Sequence, residues 1–317
     1  MPESPLSPTI SVLIASRDEP ALADTLESLR EQCAALNAEC IVVDLSEGRL
    51  ATIAADHAWV RWIDAAPDAN PRPIARQRNL ALAASRGDIV AFIDCGAIAP
   101  ANWLVALTGP ITRGEYDCTT GPIFPPTGHR RPAVNNAPTG TKVGVGVTAN
   151  LAVRRELARR AQGFEGRLRG LSDAEFTWQL EALGSAVIAI QEAALTMDWG
   201  SARRELKRHW QYGRAMADNY RLWPQRAPRC RRQRAEAVSL LLAVLLGVVA
   251  GFVISPLVGL AAVGLVALGL VLLATSRRIA TCTPVRRLSR ALFLAIYLPG
   301  RYARTLQQQP AQRWIED

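Results

Sequence analysis

The sequence predicts an α/β domain on a mainly parallel sheet, followed by a C-terminal α-helical transmembrane hairpin and an interfacial helix. Three observations carry this. Short apolar runs ending on polar or acidic residues alternate with helical patterns through the first half of the chain. From Ala237 to Ser276 there is no charged residue. Arginines crowd both edges of that stretch: Arg226, Arg229, Arg231, Arg232 and Arg234 before it, Arg277, Arg278, Arg286, Arg287 and Arg290 after it.

The first strand is ISVLIA, Ile10 to Ala15, followed by Ser16-Arg17-Asp18. From Ala21 to Cys33 the spacing of Leu22, Leu26 and Leu29 predicts a helix with one apolar face. CIVVD, Cys40 to Asp44, is a second strand ending on an acid, and Val60 to Ile63 is a weaker third. Pro73 to Ser85 reads as a helix with Ile74, Leu80 and Leu82 as core positions, and Gly87 stops it before the strand Ile89 to Ile93. Strands alternating with helices imply a sheet covered on both faces. Ligands in such sheets bind beyond the carboxyl ends of the strands. Three polar clusters sit at those ends: Ser16-Arg17-Asp18, Asp44-Leu45-Ser46 and Asp94-Cys95-Gly96.

The apolar block divides at Ser255-Pro256 into Val238 to Ile254 and Leu257 to Thr275. Crossing ~30 Å of hydrocarbon takes about 20 helical residues, with a range of about 17 to 25. The block, 237–276, therefore reads as two short spans joined by a tight turn. Flanking arginines place both ends in the cytosol. The N-terminal MPESPLSPTISVLIASRDEP lacks a basic segment followed by a hydrophobic one, so it is not a signal peptide and the first domain is expected in the cytoplasm, on the inner face of the plasma membrane. Residues 223–236 form a basic juxtamembrane linker. In 277–317, Arg286 to Leu306 has an apolar centre too short to span comfortably and reads first as an interfacial amphipathic helix and second as a short third span, ahead of a polar tail.

The net charge of +9 invites a nucleic-acid reading, but the basic clusters adjoin the apolar block, and no nucleic-acid partner is expected. Six cysteines without CxxC spacing and three histidines suggest neither a zinc site nor a disulfide framework.

The succession strand-SR, strand-VVD, helix-ARQRN, strand-FID and IAPANWL resembles family 2 glycosyltransferases of the GT-A fold. TANLAVRREL, Thr148 to Leu157, resembles the family's acceptor-side segment. GFEGRLRGLSDAEFTWQLEALG, Gly163 to Gly184, resembles its E-D-x-E-F stretch, and RHWQYGRAMA, Arg208 to Ala217, its basic interfacial helix. The resemblance implies an inverting transfer from a nucleotide-sugar donor to a membrane lipid or lipid-linked acceptor by a domain over 1–222, its interfacial helix at about 201–220. Asp173 would be the catalytic base. Ser16, Asp44, Arg78 and Asp94 would bind the nucleotide-sugar, and Asn150 and Trp178 would face the acceptor.

In the family, the second acid of the D-x-D motif binds the divalent cation, Mg²⁺ or Mn²⁺; here that position is Gly96, which has no ligand to offer. Three readings stay open. Asp94 holds the cation with another residue such as Asp198; arginines such as Arg76 or Arg78 neutralise the diphosphate instead; or the site is degenerate and the protein is a scaffold or regulator. Ser172-Asp173 also fits the N-terminal cap of a helix. Trp103 is expected to pack the sheet edge, and Cys95 to be a small buried filler.

Overall fold

The computed structural model describes residues 9–65, 73–126, 133–168, 170–198, 200, 202–226, 239, 242 and 244–275. The chain divides into two compact units, one built on Met1–Arg167 and Ser172–Asp198, the other on Leu168–Leu171 and Trp199–Pro310.

In the first unit, β1 (Ile10–Ser16), α1 (Leu22–Ala35), β2 (Glu39–Asp44), α2 (Ala51–Asp56), β3 (Arg61–Asp64), α3 (Pro73–Ala84) and β4 (Ile89–Ile93) follow in order. Strands β3, β2, β1 and β4 lie side by side and parallel. Their residues are nearly continuous apolar runs because helices cover both faces. On one side Leu22, Leu26 and Leu29 of α1 are fully buried, as the spacing predicts. Each such leucine contributes about 1.5–3 kcal/mol by leaving water.

The sheet is mainly parallel, as expected, but mixed: β9 (Asn150–Arg154) and β8 (Lys142–Val143) run against the other six strands. The strands β9, β6 (Cys118–Thr120), β10 (Val187–Ala189) and β8 continue it beyond β4, with β9 antiparallel to both β4 and β6. The sheet is mixed because β9 enters from the loop 144–149 and runs back along β4, joined by no crossover helix. A second sheet of three short strands, β5 (Ala97–Ile98), β11 (Leu195–Met197) and β7 (Ile123–Phe124), stands at the end of β4. Between these lie α4 (Trp103–Thr112), α5 (Arg155–Arg160) and α6 (Ser172–Ala182).

Helix α3 corrects one detail. Ile74, expected in the core, is 39% exposed, whereas Ala75, Arg78, Asn79 and Leu82 are buried. Those four occupy i, i+3, i+4 and i+7, one face of a helix. The inward stripe therefore carries an arginine and an asparagine where apolar residues would be the rule.

In the second unit, α7 (Ala202–Leu222) is amphipathic. Ala215, Ala217, Asp218, Asn219 and Tyr220 are buried, while Lys207 and Trp210 are exposed. Residues 244–254 are helical, and Pro256–Thr275 is a second helix. Ser255 separates them and accepts the Val258 N–H on its hydroxyl at 3.2 Å, an N-cap. A Cβ on Gly251 would lie 3.2 Å from the Gly259 Cα. In one straight helix those residues would be ~12 Å apart at 1.5 Å per residue. The chain therefore reverses at Ser255-Pro256. Among the described residues no helix is long and apolar enough to cross a membrane, and side chains are described only as far as Leu265 of Pro256–Thr275. The segment Arg286 to Leu306 lies outside the described residues.

Candidate active site

The carboxyl ends of β1, β2 and β4 gather most of the expected residues. Ser16 and Asp44 are register partners on β1 and β2. Asp44 is 2% exposed and accepts the Ser46 backbone N–H at 3.0 Å and the Ser46 hydroxyl at 2.7 Å, closing a turn at the strand's exit. A carboxylate has about four acceptor positions, so two remain. Asp18 adopts φ 51, which lets its N–H reach Ser46 Oγ at 2.7 Å, while Arg49 donates to its carboxylate at 2.6 Å. That bond holds the Asp18 carboxyl below its usual range.

Two residues of α3 that sequence reasoning passed over fix this edge. Gln77 Nε2 donates to the Ser16 carbonyl at 2.6 Å and the Val43 carbonyl at 2.9 Å, locking β1 to β2. Asn79 clamps Phe164, donating to its carbonyl at 2.9 Å and accepting its N–H at 2.8 Å. The signal was available: Arg78 and Asn79 stand in the apolar stripe of their helix.

At the end of β4, Asp94-Cys95-Gly96 forms a tight turn, closed by the Ala97 N–H on the Asp94 carbonyl at 3.2 Å. Gly96 adopts φ 82, a conformation that side-chain-bearing residues rarely take, so the turn itself favours glycine. Its N–H is held by Thr25 Oγ1 at 2.9 Å, and the Ala99 N–H by Ser28 Oγ at 3.2 Å. Helix α1 thus pins the motif through a polar stripe. Cys95 donates to the Ala15 carbonyl at 3.3 Å, and burial pushes its thiol up to about 12, so it is an inert filler.

Asp94 does not stand alone. Arg78 Nη2 donates to Asp94 Oδ1 at 3.1 Å, and Arg78 Nη1 lies 3.4 Å from Ser172 Oγ at the start of α6. The guanidinium sits over the Phe164 ring, 5.6 Å from its centroid. Asp173 follows Ser172 and accepts the Ala174 N–H at 2.8 Å. Protein packed around the Asp173 carboxyl pushes it above its usual range; Arg78 pulls it back down, and the Asp94 charge adds to the rise. Asp94, Arg78 and Asp173, from β4, α3 and α6, therefore share one electrostatic site. Arg78, expected on the nucleotide, spends its fork on Asp94 and Ser172.

Asp198 is exposed and immediately follows β11. Strand β11 pairs antiparallel with β5, Thr196 opposite Ile98 and Met197 opposite Ala97. One more step of that register sets Asp198 level with Gly96, on the flank where the D-x-D pattern lacks its acid. Among the described residues no three His, Cys, Asp or Glu gather as a metal cage. Magnesium-type cations need no such cage, since one or two carboxylates and the substrate's own phosphates suffice.

Asn150 begins β9 opposite Ile93, and Trp178 lies on α6 with Asp173. Asn150 is fully buried; its Oδ1 accepts the Trp103 indole N–H at 2.9 Å, and its Nδ2 donates to the Pro122 carbonyl at 3.2 Å and the Ala193 carbonyl at 2.7 Å. Both amide hydrogens are spent within the fold. Trp178 is 8% exposed on α6, and Trp103 packs at the sheet as expected, fully buried.

No curated protein sequence matches the chain. Solved structures share its fold. A mannosyltransferase from Pyrobaculum calidifontis, PcManGT, in complex with GDP-Man and Mn²⁺, aligns at a TM-score of 0.64 and 19% identity, over 92% of this chain and 87% of that one. S. aureus TarS 1-349 aligns at 0.51 and 17% identity, over 64% of both chains, and the longer TarS chain is covered over only 38% of its length. GalNAc-T7 with UDP, GalNAc and Mn²⁺ aligns at 0.51 and 15% identity, over 61% of this chain and 43% of that one. The family model for glycosyl transferase family 2 matches residues 11–161, a span holding β1 to β4, α3 and the D-x-D turn. Residues 11–161, a little under half of the chain, thus carry a glycosyl transferase family 2 domain.

Proposed function

We propose that the protein is an inverting glycosyltransferase that moves a sugar from a nucleotide-sugar donor onto a membrane lipid or lipid-linked acceptor. The observation that carries the transfer is the convergence of Asp94 and Asp173, from separate elements, around the Arg78 guanidinium. The donor's nucleoside would lie along Ser16 and Asp44, with its diphosphate toward Asp94. Asp173 would take the proton of the attacking hydroxyl, and a carboxyl raised toward neutrality is suited to that task. PcManGT with GDP-Man and TarS with UDP-GlcNAc support a nucleoside diphosphate sugar as donor. A divalent cation between Asp94 and Asp198 would neutralise the diphosphate as it leaves. Gly96 at φ 82 favours a second reading, a nucleotide-binding scaffold without turnover.

Titration of UDP and GDP into the detergent-solubilised full chain, with and without Mn²⁺, tests the donor site. One nucleotide is expected to bind about tenfold or more tightly with Mn²⁺, and Asp198→Asn to erase that gain. Metal-indifferent binding would remove the cation from the scheme, and no binding of either nucleotide would remove the donor. Binding without release of sugar from any nucleotide-sugar would favour the scaffold.

The anchor rests on the uncharged run 237–276 and on its exposed apolar side chains, among them Leu245, Val253, Ile254 and Leu257. Contiguous exposed apolar surface of this kind marks a membrane or protein contact. We expect the full chain to stay with the membrane pellet through both high salt and alkaline carbonate. Release by salt alone would leave only an electrostatic, peripheral attachment by the arginines.

A further inference from the structure

We propose that Arg78 is a positioning residue that couples the donor-side carboxylate Asp94 to the turn bearing Asp173, so that events at the donor end adjust the base. The proposal rests on the glycosyltransferase reading above. An arginine on a helix surface is normally solvated, but the Arg78 side chain is only 9% exposed. A buried guanidinium is tolerated only where its hydrogens and charge are met. Here two carriers of the chemistry meet it: Asp94 on one arm of the fork at 3.1 Å and Ser172 on the other at 3.4 Å. A planar, rigid fork transmits the movement of one partner to the other, which a flexible ammonium on a longer stem does not.

The frame around Arg78 leaves it little freedom to absorb such movement. Gln77 ties the same turn of α3 to the carbonyls of Ser16 and Val43, and Asn79 ties it to both backbone groups of Phe164. The Phe164 ring lies under the guanidinium. Three consecutive residues thus reach strands β1 and β2, the end of β4 with the start of α6, and the loop at 164. On the base side, Leu171 immediately precedes Ser172 with φ 56, a region that bulky residues rarely occupy. The entry to α6 is therefore a turn whose placement needs external support, and the Arg78–Ser172 contact supplies it. When Asp94 is drawn onto a cation that accompanies the diphosphate, the guanidinium is left to Ser172 and Asp173. Ordering of the donor and alignment of the base then become one event.

The test uses the detergent-solubilised full chain and the release of sugar from GDP-mannose and UDP-GlcNAc. Arg78→Lys keeps the charge and loses the fork. Its kcat is expected to fall about a hundredfold, while KM for the donor and the nucleotide Kd move less than about threefold. A parallel loss in nucleotide affinity would make Arg78 a direct diphosphate ligand, and an unchanged kcat would make it a packing residue; either overturns the proposal. Should Arg78→Lys fail to fold, the cycle of Asp94→Asn, Ser172→Ala and their double variant answers the question without touching Arg78. The losses in kcat/KM should depart from multiplicativity by about threefold or more. A multiplicative cycle in an active wild-type chain overturns the coupling alone. A wild-type chain that binds neither nucleotide overturns the coupling together with the donor reading.

Discussion

Asp173→Asn is expected to lower turnover by about 10²–10⁴-fold while leaving the fold intact. The choice of asparagine is deliberate. Asp173 stands in the first turn of α6 and accepts the Ala174 N–H at 2.8 Å, so part of its role is to satisfy a first-turn N–H, as a cap does. Asparagine caps as well as aspartate does, so this variant keeps the cap and removes the base. Melting should be unchanged within about 2 °C, because a retained cap leaves well under 1 kcal/mol to lose. The pH dependence provides a second check. Burial raises the Asp173 carboxyl, with Arg78 opposing and Asp94 adding to the rise. A base acts only when ionised, so the wild-type rate should climb with pH through a value above the ordinary ~3.9 of an aspartate. The residual rate of Asp173→Asn should lack that limb. A variant that keeps both its rate and its acid limb would assign Asp173 to the helix cap alone and move the base elsewhere.

What the sequence revealed follows from the range over which each signal acts. Strands β1, β2 and β4 and helix α1 were legible because a covered parallel strand is a continuous apolar run and a surface helix repeats every 3.6 residues. The reversal at Ser255-Pro256 was legible because it is local turn chemistry. The register that sets Asp198 level with Gly96 was not. It depends on pairing between β5 and β11, strands of two and three residues, too short to show any period. The antiparallel run of β9 was hidden for a similar reason, since strand direction is set by the path of the chain and not by residue type. The burial of Arg78 was hidden differently. As an isolated arginine it reads as solvated or as a phosphate ligand; only its place between Ala75 and Leu82 on one helical face marks it as buried.

Asn150, expected at the acceptor, is also the site of the largest stability prediction. Asn150→Ala should destabilise the sheet domain by about 3 kcal/mol or more, since a buried donor or acceptor left without a partner costs about 1–3 kcal/mol. Two groups would lose their partner at once, the Trp103 indole N–H and the Ala193 carbonyl, while the Pro122 carbonyl keeps the Leu195 N–H at 2.9 Å. At about 2–4 °C per kcal/mol for a domain of this size, the melting temperature should drop by roughly 6–12 °C. Asn150→Asp would keep an acceptor for Trp103 but offer the two carbonyls no hydrogen, and should fall nearly as far. A melting temperature unchanged within about 2 °C would return Asn150 to the acceptor side. Some loss of activity is expected with the loss of stability, and it has a structural route. Asn150 pairs directly across from Ile93, the residue before Asp94. Loosening that rung displaces the strand end that holds Asp94 against Arg78, and a shift of ~1 Å in such a group is enough to cost about a hundredfold in rate.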